Sequence, residues 1–284
     1  MQHLKRPSLW FDDKRKMARW NERSRKLIKQ TQASLTPKVL RVTPHCCKHL
    51  RGRGSVKAAI RTLSKNIPQA QFAARFDIKS YYKSIRHDVL LKLLVDAGAD
   101  KSSRKITQDY LRLPDTRSTG KGMVAGGSLS PLLGGLYLAP LDSVMQALVS
   151  QNKLVCYARF MDDVALLAKT RWHLKRAIAK LHSVLKTLDL KLHSTKKFIG
   201  RVTHGFDFLG YHLRLGRKLR PSRESLHRLR IRASRLYEQE ASKFRLRQYV
   251  IRWWKWLHGG LDGLVSRKGG YKRLTQHIMA RLRV

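Results

Sequence analysis

Two adjacent carboxylates, Asp162 and Asp163, stand between two apolar segments, and this pattern restricts the fold more than any other feature of the chain. The residues before the pair read LVCYARF and those after it read VALLA. They predict two buried strands, at 153–160 and 164–168, joined by a turn at 161–163. Two neighbouring carboxylates at the tip of a buried hairpin repel each other and lose hydration. A divalent cation would remove both costs, although an aspartate-rich turn without a ligand is also common.

A third carboxylate, Asp77, lies at the end of the apolar segment QFAARFDI, which predicts another buried strand at 71–78. One acid from each of two neighbouring strand ends can face a common point. Asp77 and Asp162 therefore predict a site for two Mg²⁺ ions about 4 Å apart, which can activate a hydroxyl group and stabilise a leaving pyrophosphate. The alternative role for Asp77 is a helix cap before Ser80.

A glycine-rich segment, GGSLSPLL, lies between these carboxylates in the sequence. Gly126 and Gly127 allow the backbone to approach a ligand closely, and the helix start that follows supplies free N–H groups. Ser130 is predicted to cap a helix over 132–148, with Pro131 in the first turn and a kink at Pro140. An ordinary loop and helix cap is the alternative interpretation.

The remaining apolar patterns predict a mixed α+β chain without internal repeats. The spacing of apolar residues indicates one further strand at 206–213 and a loop at 114–128. It also predicts several helices, which cover residues 11–35, 55–66, 89–97, 171–189 and 222–258.

The charge is strongly unbalanced, with 61 Lys and Arg residues against 18 Asp and Glu residues, a net charge of +43. The net charge is +15 over residues 1–70, +12 over 71–213 and +16 over 214–284. Two cationic flanks therefore surround a less basic centre. Solvated helices usually mix both signs, so the flanks predict contact with nucleic acid rather than simple solvation.

Three cysteines, two of them adjacent at Cys46 and Cys47, exclude a disulfide framework. Adjacent cysteines also fit tetrahedral zinc poorly, so the segment HCCKH at 45–49 is not predicted to bind zinc. No apolar run approaches the roughly 18 residues of a membrane span, and the first 20 residues lack a signal-peptide core. We expect a cytoplasmic, prokaryote-like protein that makes no contact with a membrane.

The order of the motifs is more specific than any one of them. RFDIKSYYKSI, GGSLSPLLGGLYL and YARFMDDVALL, in that order, resemble motifs A, B and C of reverse transcriptases. LKLHSTKKFIG and FDFLGYHL are similar to the lysine-bearing motif D and the FLG segment behind it. Over residues 50–215 the chain most resembles the bacterial enzymes of group II introns, retrons and defence systems, and its tail at 222–258 resembles their basic helical thumb.

The resemblance implies a right-hand polymerase with an antiparallel-sheet palm, short fingers and a basic helical thumb. It divides the chain into an N-terminal helical region with fingers at 1–70, a palm at 71–215 and a thumb at 216–284. The implied activity is RNA-directed DNA polymerisation, in which dNTPs extend a primer 3′ end on an RNA template with two Mg²⁺ ions. An RNA template and a DNA or RNA primer are the implied partners, and a dedicated structured non-coding RNA is compatible with the family. The resemblance is compatible with a role in genetic mobility and with a role in antiviral defence.

The resemblance also assigns roles to individual residues. The catalytic and metal-binding positions are Asp77, the Ile78 carbonyl, Asp162 and Asp163. Lys196 matches the motif D lysine that protonates departing pyrophosphate; the alternative is an ordinary surface lysine. Tyr82 takes the steric-gate position; the alternative is a role in core packing. The implied nucleotide contacts further include Ala125, Gly126, Gly127, Arg51 and Arg53. The primer grip is formed by Phe208, Leu209 and Gly210.

Two departures from the family pattern leave other functions open. Ala125 stands where the family usually has glutamine beside the incoming nucleotide, and Gly135 stands where group II enzymes often carry asparagine. One alternative is therefore an enzyme that makes RNA or adds nucleotides without a template. The other is a non-catalytic RNA-binding factor for splicing or assembly, which the retained Asp77, Asp162 and Asp163 argue against.

Overall fold

The computed structural model describes residues 8–12, 15–113, 119–124, 127–267 and 270–281. Its strands are β1 Ser8–Asp12, β2 Arg15–Arg19, β3 Phe72–Ile78, β4 Cys156–Phe160, β5 Asp163–Ala168, β6 Leu192–Arg201, β7 Phe206–Phe208, β8 Tyr211–Leu213 and β9 Arg220–Pro221. Its helices are α1 Glu22–Val42, α2 Val56–Asn66, α3 Tyr81–Ser84, α4 His87–Asp96, α5 Lys101–Arg112, α6 Ser130–Tyr137, α7 Ala139–Ser150, α8 Arg171–Thr187, α9 Arg223–Glu238, α10 Lys243–His258 and α11 Gly270–Arg281.

A four-stranded antiparallel sheet in the order β4-β5-β3-β6 forms the centre of the fold. Successive side chains of a strand point to opposite faces, and β3 shows this clearly. Phe76 packs into one core with Leu181 and Leu185 of α8. Ala73 packs into a second core with Phe206, on the opposite face of the sheet. Asp77 follows Phe76 in the strand and therefore belongs to the face opposite α8.

The predicted helix over 11–35 is wrong at its N-terminal end. Residues 8–12 and 15–19 pair as an antiparallel hairpin, with Ser8 opposite Arg19. The helix begins only at Glu22, because the Asn21 side chain accepts a hydrogen bond from the amide of Ser24 (2.8 Å) and caps the first turn.

The predicted helix over 132–148 is two helices, α6 and α7, bent by 53° relative to each other at Leu138. The prediction of a kink at Pro140 is thus confirmed, since proline has no N–H for the preceding turn. Ser130 is the first residue of α6 and not its cap. Its hydroxyl instead bonds the carbonyl of Val124 and the Tyr110 hydroxyl.

The predicted strand over 206–213 is two strands, β7 and β8, joined at Leu209 and Gly210. Both turn residues have positive φ angles, 47° and 86°, which an uninterrupted strand does not allow. The helices predicted at 55–66 and 171–189 are confirmed as α2 and α8, and the segment 222–258 contains α9 and α10.

The C-terminal helices share a core with the sheet. Leu257 and Leu261 pack with Phe206 and Tyr211 of the β7–β8 hairpin. Lys57, in α2, joins these parts because its ammonium group donates to the carbonyl of Leu257 (3.1 Å), as well as to the Trp256 carbonyl and the Tyr211 hydroxyl. A cation at the carboxyl end of α10 complements the helix dipole.

The apolar face of α10 is only partly buried. Leu257 is buried, but the side chain of Trp256 is 45% exposed. Tyr249 and Trp253 pack against a third core, which is formed by Leu229, Ala233, Val250 and Ile278. Within the described part of the chain, no single helix is both long and apolar enough to cross a membrane. Together α6 and α7 meet that test by length and composition alone.

Candidate active site

The two motif strands place their carboxylates side by side. Asp77 of β3 lies directly opposite Asp163 of β5 in the antiparallel register. The amide of Ile78 donates to the carbonyl oxygen of Asp162 (3.2 Å), which fixes the turn against the end of β3. Lys196 of β6 completes the group, with its ammonium nitrogen 3.7 Å from the Asp77 carboxylate. Residues from three segments that are distant in the sequence thus meet at one end of the sheet.

The carboxylates at this end disfavour each other's ionisation. Burial raises the pKa of Asp163 to about 6, with a further contribution from the charge of Asp162. Burial also raises the pKa of Asp162, and the charge of Asp77 adds to this rise. A cation among these oxygens would relieve both effects.

The oxygen-rich donor set suits Mg²⁺. In the described residues, no three His, Cys, Asp or Glu side chains are arranged as the ligands of one metal ion. The assignment of Asp77, Ile78, Asp162 and Asp163 as metal ligands therefore stays a prediction.

The turn that carries Asp162 is held by His49. Met161 has a left-handed backbone with φ of 56°, and its amide donates to Nδ1 of His49 (3.1 Å). The other ring nitrogen, Nε2, lies 3.0 Å from the carbonyl of Pro131 in α6 and donates to it. Burial lowers the pKa of His49 to about 4, so the ring is neutral and can accept at one nitrogen while it donates at the other.

A buried ion pair supports the same turn. The guanidinium of Arg159 donates from Nε to Oδ1 of Asp142 (2.7 Å) and from Nη2 to Oδ2 (2.5 Å), and both side chains are fully buried. Arg159 also donates to the Met161 carbonyl (2.9 Å), the Gly135 carbonyl (3.2 Å) and the Cys47 sulfur (3.0 Å). This one side chain thus connects the turn to α6, α7 and the segment before α2.

These contacts give two residues of the segment HCCKH, Cys47 and His49, partners within the protein. Cys47 accepts from Arg159, and burial raises its pKa to about 12, so the thiol stays protonated. Sequence reasoning missed the roles of His49, Asp142 and Arg159. The signal for Arg159 was a charged residue inside an apolar strand, since such a residue requires a buried partner.

Tyr82 packs against α6. Burial raises the pKa of Tyr82, and the charge of Asp162 adds to the rise. A Cβ atom at Gly134 would lie 3.1 Å from the Tyr82 ring and 3.2 Å from the Tyr81 ring. The glycine at this position therefore lets α6 pack closely on both tyrosines.

Of the glycine-rich loop, Gly127 lies within the described residues, whereas Ala125 and Gly126 lie outside them. A Cβ atom at Gly127 would be only 1.8 Å from the hydroxyl of Tyr110. That hydroxyl is itself 2.7 Å from the Ser130 hydroxyl. Glycine is therefore required where the loop enters α6.

The predicted primer grip lies at the edge of a cleft of about 660 Å³ between the sheet and the last helices. Phe208 is buried, while Leu209 and Gly210 line this cleft together with Asp163. Arg75 connects the segment to Lys196, since it donates to the carbonyls of Asp207 (3.0 Å) and Lys196 (3.2 Å).

The two arginines predicted to contact the triphosphate or the template have different surroundings. Arg53 donates to the carbonyls of Thr43 (3.0 Å) and Leu40 at the end of α1. This part of its guanidinium is therefore hydrogen-bonded to the protein backbone. Arg51 is exposed and lines a separate cavity of about 790 Å³ beside Ser128. The structure does not show either arginine bonded to the carboxylates.

The sequence is similar to a known protein family and to a curated protein. A family model described as "Reverse transcriptase (RNA-dependent DNA polymerase)" matches residues 6–213. Protein YkfC of Escherichia coli (strain K12) is 24% identical over 203 residues, covering 57% of this chain and 53% of YkfC. The chain thus spans about half the length of this curated relative.

Two solved structures share the fold. Telomerase from Candida albicans, in complex with a TWJ fragment of telomeric RNA, matches with a TM-score of 0.57 and 14% identity over 92% of this chain and 49% of that one. Apo telomerase from Candida tropicalis matches with a TM-score of 0.52 and 13% identity over 92% of this chain and 55% of that one. The right-hand polymerase fold predicted from the sequence is confirmed.

Proposed function

The chain belongs to the reverse transcriptase (RNA-dependent DNA polymerase) family, and from this we propose that it extends a primer 3′ end with dNTPs on an RNA template. Membership makes it a nucleotidyltransferase of the reverse transcriptase type. The observation that carries the finer proposal is the meeting of Asp77, Asp163 and Lys196 across three strands, next to Asp162.

Two Mg²⁺ ions are the proposed cofactors, held by Asp77 and Asp162 with the Ile78 carbonyl, while Asp163 supports the pair. When bound, these ions would lower the pKa of the primer hydroxyl and neutralise charge on the triphosphate. The ammonium of Lys196 lies beside Asp77. From there it can give a proton to the departing pyrophosphate.

Three features support RNA and dNTPs as partners. The net charge of +43 favours any polyanion, and a telomerase of the same fold is solved with an RNA fragment. The Tyr82 ring, at the position that the family resemblance assigns to the steric gate, would collide with a 2′-hydroxyl on the incoming sugar. The same ring argues against the alternative enzyme that uses NTPs.

Substitution of Asp162 tests the proposal. Asp162→Asn keeps the size of the side chain but removes its charge, so extension of a DNA primer on an RNA template should be abolished while RNA binding persists. Asp96→Asn, at an exposed position of α4, is the matched control and should extend normally. Undiminished synthesis by the Asp162 variant would falsify the site.

The same assay separates the alternatives. Equal use of NTPs and dNTPs by the wild type would favour the RNA-synthesising enzyme, and extension without a template would favour terminal addition. RNA binding without any extension would favour a splicing or assembly factor. Sequencing of the nucleic acid that copurifies with the protein would distinguish a role in mobility from one in antiviral defence.

A further inference from the structure

A basic surface lies on the side of the sheet opposite the carboxylates. Helix α8 carries five Lys and Arg residues and no acid over 17 residues. On the neighbouring strand β6, Lys197 lies opposite Phe76 and belongs to the same face, whereas Lys196 pairs with Asp77 on the carboxylate side. Within the described residues, no basic side chain of α8 forms an ion pair. The cations of α8 are therefore not neutralised by the protein, although residues 71–213, which contain α8, have the lowest net charge of the three regions.

The position of this surface follows from the alternation of β3. Phe76 contacts His182 of α8, with their rings 6.5 Å apart, whereas the next residue, Asp77, points to the other face. A nucleic acid bound to the outer side of α8 is therefore separated from the carboxylates by the thickness of the sheet. It needs a binding site of its own.

An aromatic residue marks one end of the surface. Trp172, in the first turn of α8, is 57% exposed, more than Trp256 at 45%. The guanidinium of Arg176 lies over its ring at 4.6 Å from the centroid, as expected for residues four positions apart on a helix. Lys180 continues the same row of side chains. A tryptophan ring that is more than half exposed beside cations offers a base a flat stacking partner.

A groove of about 570 Å³ between α8 and β6 marks the other end. Its walls carry Lys186, Lys191 and Lys197 over an apolar floor that includes Phe76. The one acid that lines the groove, Asp189, is already paired with Lys121 at 2.6 Å. The groove thus presents three cations to a ligand.

The distance between the two ends of the surface suits a site for single-stranded nucleic acid. Trp172 and Lys186 are fourteen residues apart in α8, which is about 21 Å along the helix axis. Single-strand sites combine cations that follow the phosphates with aromatic rings that stack on bases, and the smallest cover about four nucleotides. Lysines on the edge strand β6 also discourage sheet-to-sheet association, but that role does not extend to Trp172 or to the outer row of α8.

We propose that the rear surface, formed by Trp172, Arg176 and Lys180 of α8 with Lys186, Lys191 and Lys197 around the groove, binds an unpaired segment of nucleic acid. This site is distinct from the catalytic cleft, and it would hold one part of a bound strand while another part is in the cleft.

Lysine acetylation footprinting of the full chain tests the proposal. The catalytic cleft is first filled with a primer–template duplex, and a 20-nucleotide oligouridylate is then added. The acetylation rate of Lys180 and Lys186 should fall several-fold, while that of exposed Lys92 and Lys101 should not change. Protection by a 20-nucleotide oligothymidylate as well would assign unpaired strands of either sugar to the site, and protection by oligouridylate alone would assign RNA.

Matched variants give a second measurement under the same conditions. Arg176→Ala/Lys180→Ala should lower the salt dependence of oligouridylate affinity by about 1.4 in the log–log slope, and Trp172→Ala should weaken binding about tenfold. Lys92→Ala/Lys101→Ala removes the same charge elsewhere and should change neither value. Primer extension at a saturating duplex concentration should be unaffected by any of these substitutions.

Three results would overturn the proposal. They are unchanged acetylation of Lys180 and Lys186, equal losses of affinity in the two double variants, or protection by a 20-residue polyglutamate without protection by the oligonucleotides. The last result would assign the surface to an acidic protein. Because footprinting does not depend on synthesis, a chain that binds oligouridylate here but extends no primer would refute the proposed function and not this site.

Discussion

At the scale of single residues, Asp163 is a source of instability in the absence of cations. Its raised pKa of about 6 means that the folded protein holds this proton more tightly than the unfolded chain, whose ordinary value is 3.8. The contribution of this residue to stability is therefore full below pH 4. It is lost as pH rises from about 4 to about 6.

Substitution of this carboxylate should consequently stabilise the protein at neutral pH. In magnesium-free buffer, Asp163→Asn should raise the free energy of unfolding at pH 7 by roughly 1–3 kcal/mol, with no gain at pH 4. Urea denaturation at both pH values measures this, and Asp96→Asn serves as the control. A gain of the same size at pH 4 would show that the cause is not ionisation.

Tyr82 is the residue on which sugar choice should depend. Tyr82→Val removes the ring without touching the carboxylates, so incorporation of NTPs relative to dNTPs should rise about tenfold, equivalent to about 1.4 kcal/mol of lost discrimination. Stability should also fall, since the ring packs against Gly134. Both substrates must therefore be compared in one folded preparation.

Tyr82→Phe keeps the ring and is the matched control, which should retain the selectivity of the wild type. If Tyr82→Val instead loses both activities in proportion, the side chain serves only to pack α6 against the sheet.

At the scale of elements, the hairpin β4–β5 depends on the buried pair between β4 and α7. Asp142→Asn leaves the charge of Arg159 without its partner, so we expect a loss of about 3–5 kcal/mol in the free energy of unfolding. The double variant Asp142→Leu/Arg159→Met should recover much of that stability. Its primer extension should nevertheless remain low, because the Met161 and Gly135 carbonyls lose their donor.

Urea denaturation and primer extension on the same samples separate these two effects. Full extension by the double variant would show that Arg159 stabilises the hairpin without positioning the turn.

The elements differ in how far the sequence could predict them. β3, β4 and β5 are predominantly apolar runs, which is typical of buried strands. β6 is polar and half-exposed, and only its pairing with β3 makes it a strand. α5 carried a usable signal that was overlooked, namely the Asp100 cap, which accepts from the Ser103 amide at 2.7 Å.

The candidate site likewise contains residues that the sequence could predict and residues that it could not. The order of the motifs predicted which carboxylates would meet, because each follows a recognisable strand. It could not predict that His49 and Arg159 support them, since each of these residues reaches a partner 112 positions away. A single sequence does not encode such contacts in any local pattern.

At the scale of the whole molecule, the last helices cannot be treated as a detachable part, because Leu257 and Leu261 complete a core that begins in the sheet. Removal of residues 216–284 would expose that core. The contribution of these helices to nucleic-acid binding is therefore better tested by substitution. Arg232 and Arg252 are suitable, since both are exposed and line the cleft beside Asp163.

Arg232→Gln/Arg252→Gln should make the salt dependence of RNA–DNA duplex affinity shallower by about two units of the log–log slope, one for each phosphate that is no longer neutralised. Lys92→Gln/Lys101→Gln removes the same charge at a distance and should leave the slope unchanged. A titration of affinity against salt concentration measures both. Equal slopes in all three proteins would place the duplex elsewhere.

The buried guanidinium of Arg159 also affects the stage of synthesis at which the catalytic turn of a nascent chain can become organised. Its acceptors come from Cys47, Gly135, Asp142 and Met161, so the network closes only after most of the chain has left the ribosome. Contacts between residues distant in the sequence form slowly, because the chain loses conformational entropy before the stabilising contacts are made. A truncated or half-folded molecule would therefore still attract nucleic acid through its cations but lack an organised catalytic turn.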